Sequence, residues 1–117
     1  GSGDMHELGL LTQMAETVTR AANENNIDHV CGIVLEVGEA SGALPYTFEE
    51  YFPMIKEDYP VLRDASLRLL SIKSRALCAG CNAVYDLMKN EGACPRCGEK
   101  AKTVLGGTDV IIKQILY

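Results

Sequence analysis

Apolar residues recur with helical spacing from Leu8, where Leu11, Met14, Ala15, Val18, Ala21 and Ala22 share a face opposite Glu16, Thr19, Arg20 and Asn23. This predicts an amphipathic helix that ends in the polar run Asn23 to Asn26. Val30 to Val37 is rich in Val, Ile and Leu and stops at Gly38, which predicts a strand. After the loop at Ser41-Gly42 and Pro45, Thr47 is the expected cap of a short second helix from Phe48, with Glu49 and Glu50 in its first turn. That helix is expected to be interrupted near Pro53 and finished by Pro60. Leu67 to Lys73 reads as a second strand and Thr108 to Tyr117 as a third. The order helix, strand, helix, strand, insert, strand predicts an α+β fold, in which two helices cover one face of a small three-stranded sheet.

The insert carries the strongest chemical signal in the chain. Cys78 and Cys81, then Cys94 and Cys97, form two Cys-x-x-Cys pairs separated by the twelve residues Asn82 to Ala93. Each pair aims two sulfurs at one ion, and two pairs complete the tetrahedral thiolate set that zinc accepts without geometric strain. Such a closed site serves stability and leaves no position for substrate. A redox pair of the thioredoxin type needs one Cys-x-x-Cys and not two. A disulfide framework belongs to secreted chains, and neither a signal peptide nor an apolar run of membrane-spanning length is present, so the chain is read as cytoplasmic. Four thiolates also suit an iron–sulfur cluster, and spacing alone does not separate it from zinc. The fifth cysteine, Cys31, lies in an apolar run and is expected in the core as a small hydrophobe.

At 117 residues the chain has room for one domain with a smaller metal-stabilised unit. We expect Gly1 to Asp4 to be an expression scar, residues 5–74 and 103–117 to form the α+β domain, and residues 75–102 to form the zinc-binding domain. The last segment holds five basic and three acidic residues, against six and thirteen elsewhere. Four thiolates with one divalent ion bring it to about neutral, which leaves no concentrated basic surface for a phosphate backbone. Within it, Leu77, Val84, Leu87 and Met88 are the expected core.

Met5-His6-Glu7 precedes the first helix and offers a second kind of metal chemistry. An imidazole, adjacent amide nitrogens and, in a chain starting at Met5, a terminal amine close fused chelate rings, and planar nitrogen donors suit divalent nickel or copper. The plain alternative is a helix start with Glu7 placed well against the helix dipole.

Met5-His6-Glu7-Leu8, Leu35-Glu36-Val37-Gly38-Glu39-Ala40-Ser41-Gly42, the two cysteine pairs with Cys94-Pro95-x-Cys97-Gly98, and Gly107-Thr108-Asp109-Val110-Ile111-Ile112-Lys113 occur in that order. In this combination the chain, from Met5 to Tyr117, resembles the HypA/HybF family of nickel-insertion accessory proteins. The resemblance implies a nickel metallochaperone and not an enzyme. It implies that His6 is the essential nickel ligand, that Glu7 is a neighbouring ligand or tuner, and that Cys78, Cys81, Cys94 and Cys97 hold structural zinc. It also implies delivery of nickel to the large subunit of [NiFe]-hydrogenase with a GTPase of the same maturation pathway, and in some organisms service to urease and its accessory proteins. Gly1 to Asp4 depart from the family pattern by occupying the place of the free amine.

Two other functions are weighed against this one. A zinc-ribbon module binding nucleic acid or transcription machinery calls for a basic or aromatic stripe, and only Tyr85 stands out in the insert. A zinc enzyme needs an open coordination position, and the remaining imidazole, His29, precedes the first strand as a surface or edge residue.

Overall fold

Helix α1 spans Ser2–Glu24 and buries one stripe, Leu11, Met14, Ala15, Val18 and Ala22, against the sheet. The computed structural model describes residues 2–117, with side chains from His6 onward. The expectation that Gly1 to Asp4 are an expression scar rests on Gly1 and on side chains that, like that of Met5, lie outside what the structure describes. Strand β1, Gly32–Gly38, runs through the centre of the first sheet, and its Ile33, Leu35 and Val37 meet the helices. It pairs in parallel with β2, Ser66–Ile72, and antiparallel with β6, Val110–Leu116, giving the order β2-β1-β6. Parallel neighbours need a long crossover, and helix α2, Pro45–Ile55, supplies it with the short 3-10 turns Lys56–Asp58 and Pro60–Leu62. A register shift opposite Val34 and Leu35 passes over Lys113, whose ammonium lies 3.7 Å from a Glu36 carboxylate oxygen.

Helix α2 differs from expectation at its start. Leu44 is the N-cap and Pro45 opens the helix, because proline at the first position gives up only an amide that would lack a helical partner. Thr47 therefore lies inside the helix, fully buried, and Glu49 and Glu50 fall beyond the first turn. Pro53 does not interrupt the helix, which continues to Ile55. Cys31 is exposed and not in the core. Its carbonyl accepts from Ser66 and its amide donates to Leu116, so the backbone is held between two strands while the neighbouring Val30 takes the buried position. His29 is exposed and stands 4.0 Å from Asp64.

The second sheet is built from β3, Arg75–Cys78, β4, Val84–Asp86, and β5, Lys102–Gly106, in the order β4-β3-β5. Its third strand pairs along β3 from Lys102 to Gly106, so the inserted unit runs on past Lys102 to the crossing at Gly107. There the two connecting segments meet backbone to backbone. Gly107 has φ +82°, and a Cβ on it would overlap Ser74 and the Lys73 carbonyl. The Ser74 side of the junction is bonded in both directions: its amide donates to Glu39 Oε2 (3.3 Å) and its hydroxyl to Asp86 Oδ1 (3.3 Å). Asp86 also accepts from the Met88 amide, which holds its carboxyl below the usual range.

Gly107→Ala is expected to destabilise the protein by about 2–4 kcal/mol, combining the left-handed backbone cost with a backbone clash that no side-chain movement relieves. Urea denaturation of the two proteins measures it, and a change within about 0.5 kcal/mol, the range of ordinary surface substitutions, would contradict this account of the junction.

Candidate metal centres

The two cysteine pairs converge at one end of the second sheet. Cys78 ends β3, Cys81 follows one tight turn later, and Cys94 and Cys97 come from the loop before β5. All four Sγ atoms lie within 4.8 Å of one another, with Cys78 to Cys97 at 3.5 Å and Cys81 to Cys94 at 3.7 Å. Four sulfurs at about 2.3 Å from a tetrahedral zinc would stand about 3.8 Å apart, so the donor set fits that ion in size and type. The backbone amides of Gly80 and Cys81 donate to Cys78 Sγ at 3.3 and 3.4 Å and fix the first knuckle around that sulfur. Gly98, at φ +81°, closes the second knuckle by donating to the Cys94 carbonyl.

The sulfurs crowd one another electrostatically. Burial pushes the Cys94 thiol up, but amides of Cys97 and Arg96 outweigh it and bring its pKa to about 7. An amide from Glu99 favours the Cys97 thiolate, yet the neighbouring sulfurs and burial push that thiol up to about 12. Four negative sulfurs are thus costly together without a cation between them. The core behind them is Ala76, Cys78, Tyr85 and Cys94, with Cys81, Ala83 and Leu87 packed beside it. Val84 and Met88, expected in that core, are more than half exposed, because β4 is three residues long and only Tyr85 points inward. The Tyr85 hydroxyl donates to the Gly92 carbonyl at 3.0 Å, which makes this ring a structural prop and removes it as a surface platform for bases.

Met5-His6-Glu7, expected to precede the first helix, lies within α1, which begins at Ser2. His6 is exposed and lines a cavity of about 400 Å³ with Leu10, Ser41, Thr108, Asp109, Val110 and Ile111. Glu7, one residue on, faces the other way and is fully buried. Its Oε1 accepts from the Leu44 amide at 2.9 Å, so the carboxylate of α1 satisfies the backbone at the start of α2. Its Oε2 is buried and has no hydrogen-bond partner among the described residues. The difference between the neighbours was legible: Glu7 continues the buried stripe of Leu11, Met14, Ala15 and Val18, whereas His6 falls beside it. Asp109 was not singled out as a site residue, and no local pattern marks it, since the fold alone carries it to the His6 cavity. Among the described residues the four cysteines form the one cluster of three or more metal-ligating side chains. No described helix is long and apolar enough to cross a membrane.

A family model described as hydrogenase/urease nickel incorporation, metallochaperone, hypA matches residues 5–117. The chain is similar to the hydrogenase maturation factor HypA of Francisella philomiragia, with 32% identity over 113 residues that span 97% of this chain and 99% of that protein. It is also similar to the hydrogenase maturation factor HybF of Klebsiella pneumoniae, with 27% identity over 95% of this chain and 97% of the relative. Its fold resembles the solution structure of the Ni metallochaperone HypA from Helicobacter pylori, with a TM-score of 0.69 and 21% identity over 94% of this chain and 95% of that one.

Stripping metal from the cysteine site is expected to unfold the second sheet while the first sheet and its helices persist. A core of this size folds on metal binding, which contributes on the order of 10 kcal/mol in small zinc modules. Backbone amide shifts recorded before and after chelation check this, and dispersed signals from residues 75–106 in the metal-free protein would contradict it.

Proposed function

The chain belongs to the HypA family of hydrogenase and urease nickel-incorporation metallochaperones, and we propose that it binds nickel at Met5-His6-Glu7 while its four cysteines hold structural zinc. The observation that carries this reading is the separation of two donor types. The sulfurs form one compact set, all within 4.8 Å of one another, whereas the His6 imidazole stands exposed at an open cavity near the chain start. A closed thiolate site retains its ion, and an exposed imidazole on a cavity wall exchanges one. Delivery requires the second behaviour. The α+β body is then the nickel-handling unit and the cysteine unit is its zinc-stabilised companion.

Within the nickel site His6 supplies the side-chain nitrogen. Glu7 acts as a tuner: by accepting from the Leu44 amide it fixes the first turns of α1 against α2, and with them the direction of the neighbouring imidazole. Met5 contributes backbone nitrogen. In a helix, successive amides point along the axis and do not converge, so a planar chelate through nitrogens preceding His6 requires the first turn of α1 to unwind. A chain beginning at Met5 escapes that cost because its amine is free.

The partners we propose are the GTPase of the same maturation pathway and the large subunit of [NiFe]-hydrogenase, with urease accessory proteins where urease is the target, all in the cytoplasm. The inward role of Tyr85 and the near-neutral cysteine unit support a protein partner over a nucleic acid.

His6→Ala is expected to abolish tight nickel binding and leave zinc content and circular dichroism unchanged, and nickel titration of zinc-loaded protein measures it. Unchanged nickel affinity would sink the assignment. Removing residues 1–4, so that Met5 carries the terminal amine, is expected to tighten nickel binding and lower the pH at which it occurs. A terminal amine has a pKa of roughly 8 and becomes a donor near neutrality, whereas an amide releases its proton reluctantly. Nickel affinity and visible spectra of both forms from pH 6 to 9 decide it, and identical results would mean that the amine is not a ligand.

A further inference from the structure

The carboxylate that shares the His6 cavity belongs to Asp109, and not to the sequence neighbour Glu7. Glu7 has its Oε1 engaged by Leu44 and its side chain fully buried, while Asp109 is exposed and lines the same cavity of about 400 Å³ as His6. No described group bonds the Asp109 carboxylate. Its backbone, by contrast, is fixed: the Asp109 carbonyl accepts from Gly38 at 2.8 Å and the Gly107 carbonyl accepts from Ala40 at 2.9 Å. Gly38 in turn has no room for a side chain against Gly107 and Asp109. The residue is therefore held rigidly by its main chain at the cavity wall and free at its side chain, the combination a metal-ligating carboxylate needs. Hydroxyl-bearing Ser41 and Thr108 complete the polar part of the wall.

We infer that Asp109 is an oxygen donor to the nickel ion held by His6, so that the site spans the start of α1 and the segment leading into β6. This rests on the His6 reading above. A carboxylate from a distant part of the chain converts an exchangeable nitrogen chelate into a mixed nitrogen–oxygen site with more than four ligands. It also gives divalent nickel a compensating negative charge that Glu7, turned into the protein, does not place in the cavity.

The test is nickel titration of zinc-loaded wild type, Asp109→Ala, Asp109→Asn and His6→Ala, each with zinc content, thermal melting and the visible spectrum recorded. Both Asp109 variants are expected to weaken nickel by about tenfold or more, the size of effect that loss of a coordination partner has, and to shift the spectrum toward a planar four-coordinate nitrogen site. Zinc content and melting should not move, because the main-chain hydrogen bonds of residue 109 survive both changes. Unchanged nickel affinity and spectrum in the Asp109 variants, together with loss of nickel in His6→Ala, would overturn the Asp109 assignment and leave the His6 reading standing. Nickel retained by His6→Ala would overturn both.

Discussion

The close approach of Gly38 and Gly107 is the constraint on which the arrangement of this protein depends. Two polypeptide segments leave and re-enter the first sheet there, at Lys73-Ser74 and at Gly107, and neither glycine leaves space for a Cβ. Because backbone meets backbone, the Gly38 and Ala40 amides reach the carbonyls of Asp109 and Gly107, and the Ser74 amide reaches Glu39. Removing that approach would release β6 from its register on β1 and the second sheet from its seat. A loop with side chains at these positions could connect the same elements, but it could not hold them this tightly.

From that junction the cysteine cluster and the proposed nickel site acquire opposite characters. The second sheet has almost no apolar core of its own beyond Ala76, Tyr85 and its cysteines, so the metal it holds serves as the missing core. The first sheet has a full core from both helices and needs no ion to fold. The exposed His6 imidazole therefore carries no part of the folding of this sheet, and the nickel exchange proposed there would leave the sheet and its core intact. A protein that keeps one ion and passes on another gains from such separation.

Helix α1 illustrates how neighbouring residues are divided between these tasks. Its buried stripe begins at Glu7, an acidic group at an apolar position, which is tolerated because Leu44 needs an acceptor at the start of α2. His6 lies just off the stripe and remains at the cavity. One step around the helix thus separates a side chain that builds the fold from one that stands exposed at the cavity.

The sequence by itself determined the elements whose signals are local. The doubled Cys-x-x-Cys specified its four-sulfur site because each pair brings its own geometry, and the helical period of Leu11 to Ala22 specified the buried face of α1. The α+β order with a cysteine insert followed from the same local patterns. Tertiary structure decided what depends on contacts between distant segments. Thr47 was an adequate cap by type, yet Pro45 and the distant Glu7 moved the start of α2 upstream. Cys31 had the composition of a core residue, and the pairing of its backbone with Ser66 and Leu116 put its thiol outside. Asp109 is 103 residues from His6 along the chain, and only the return crossing through Gly107 brings the two to one cavity. Side-chain spacing encodes a helix face or a metal knuckle, but a cavity shared by two remote segments exists only once the backbone has closed upon itself.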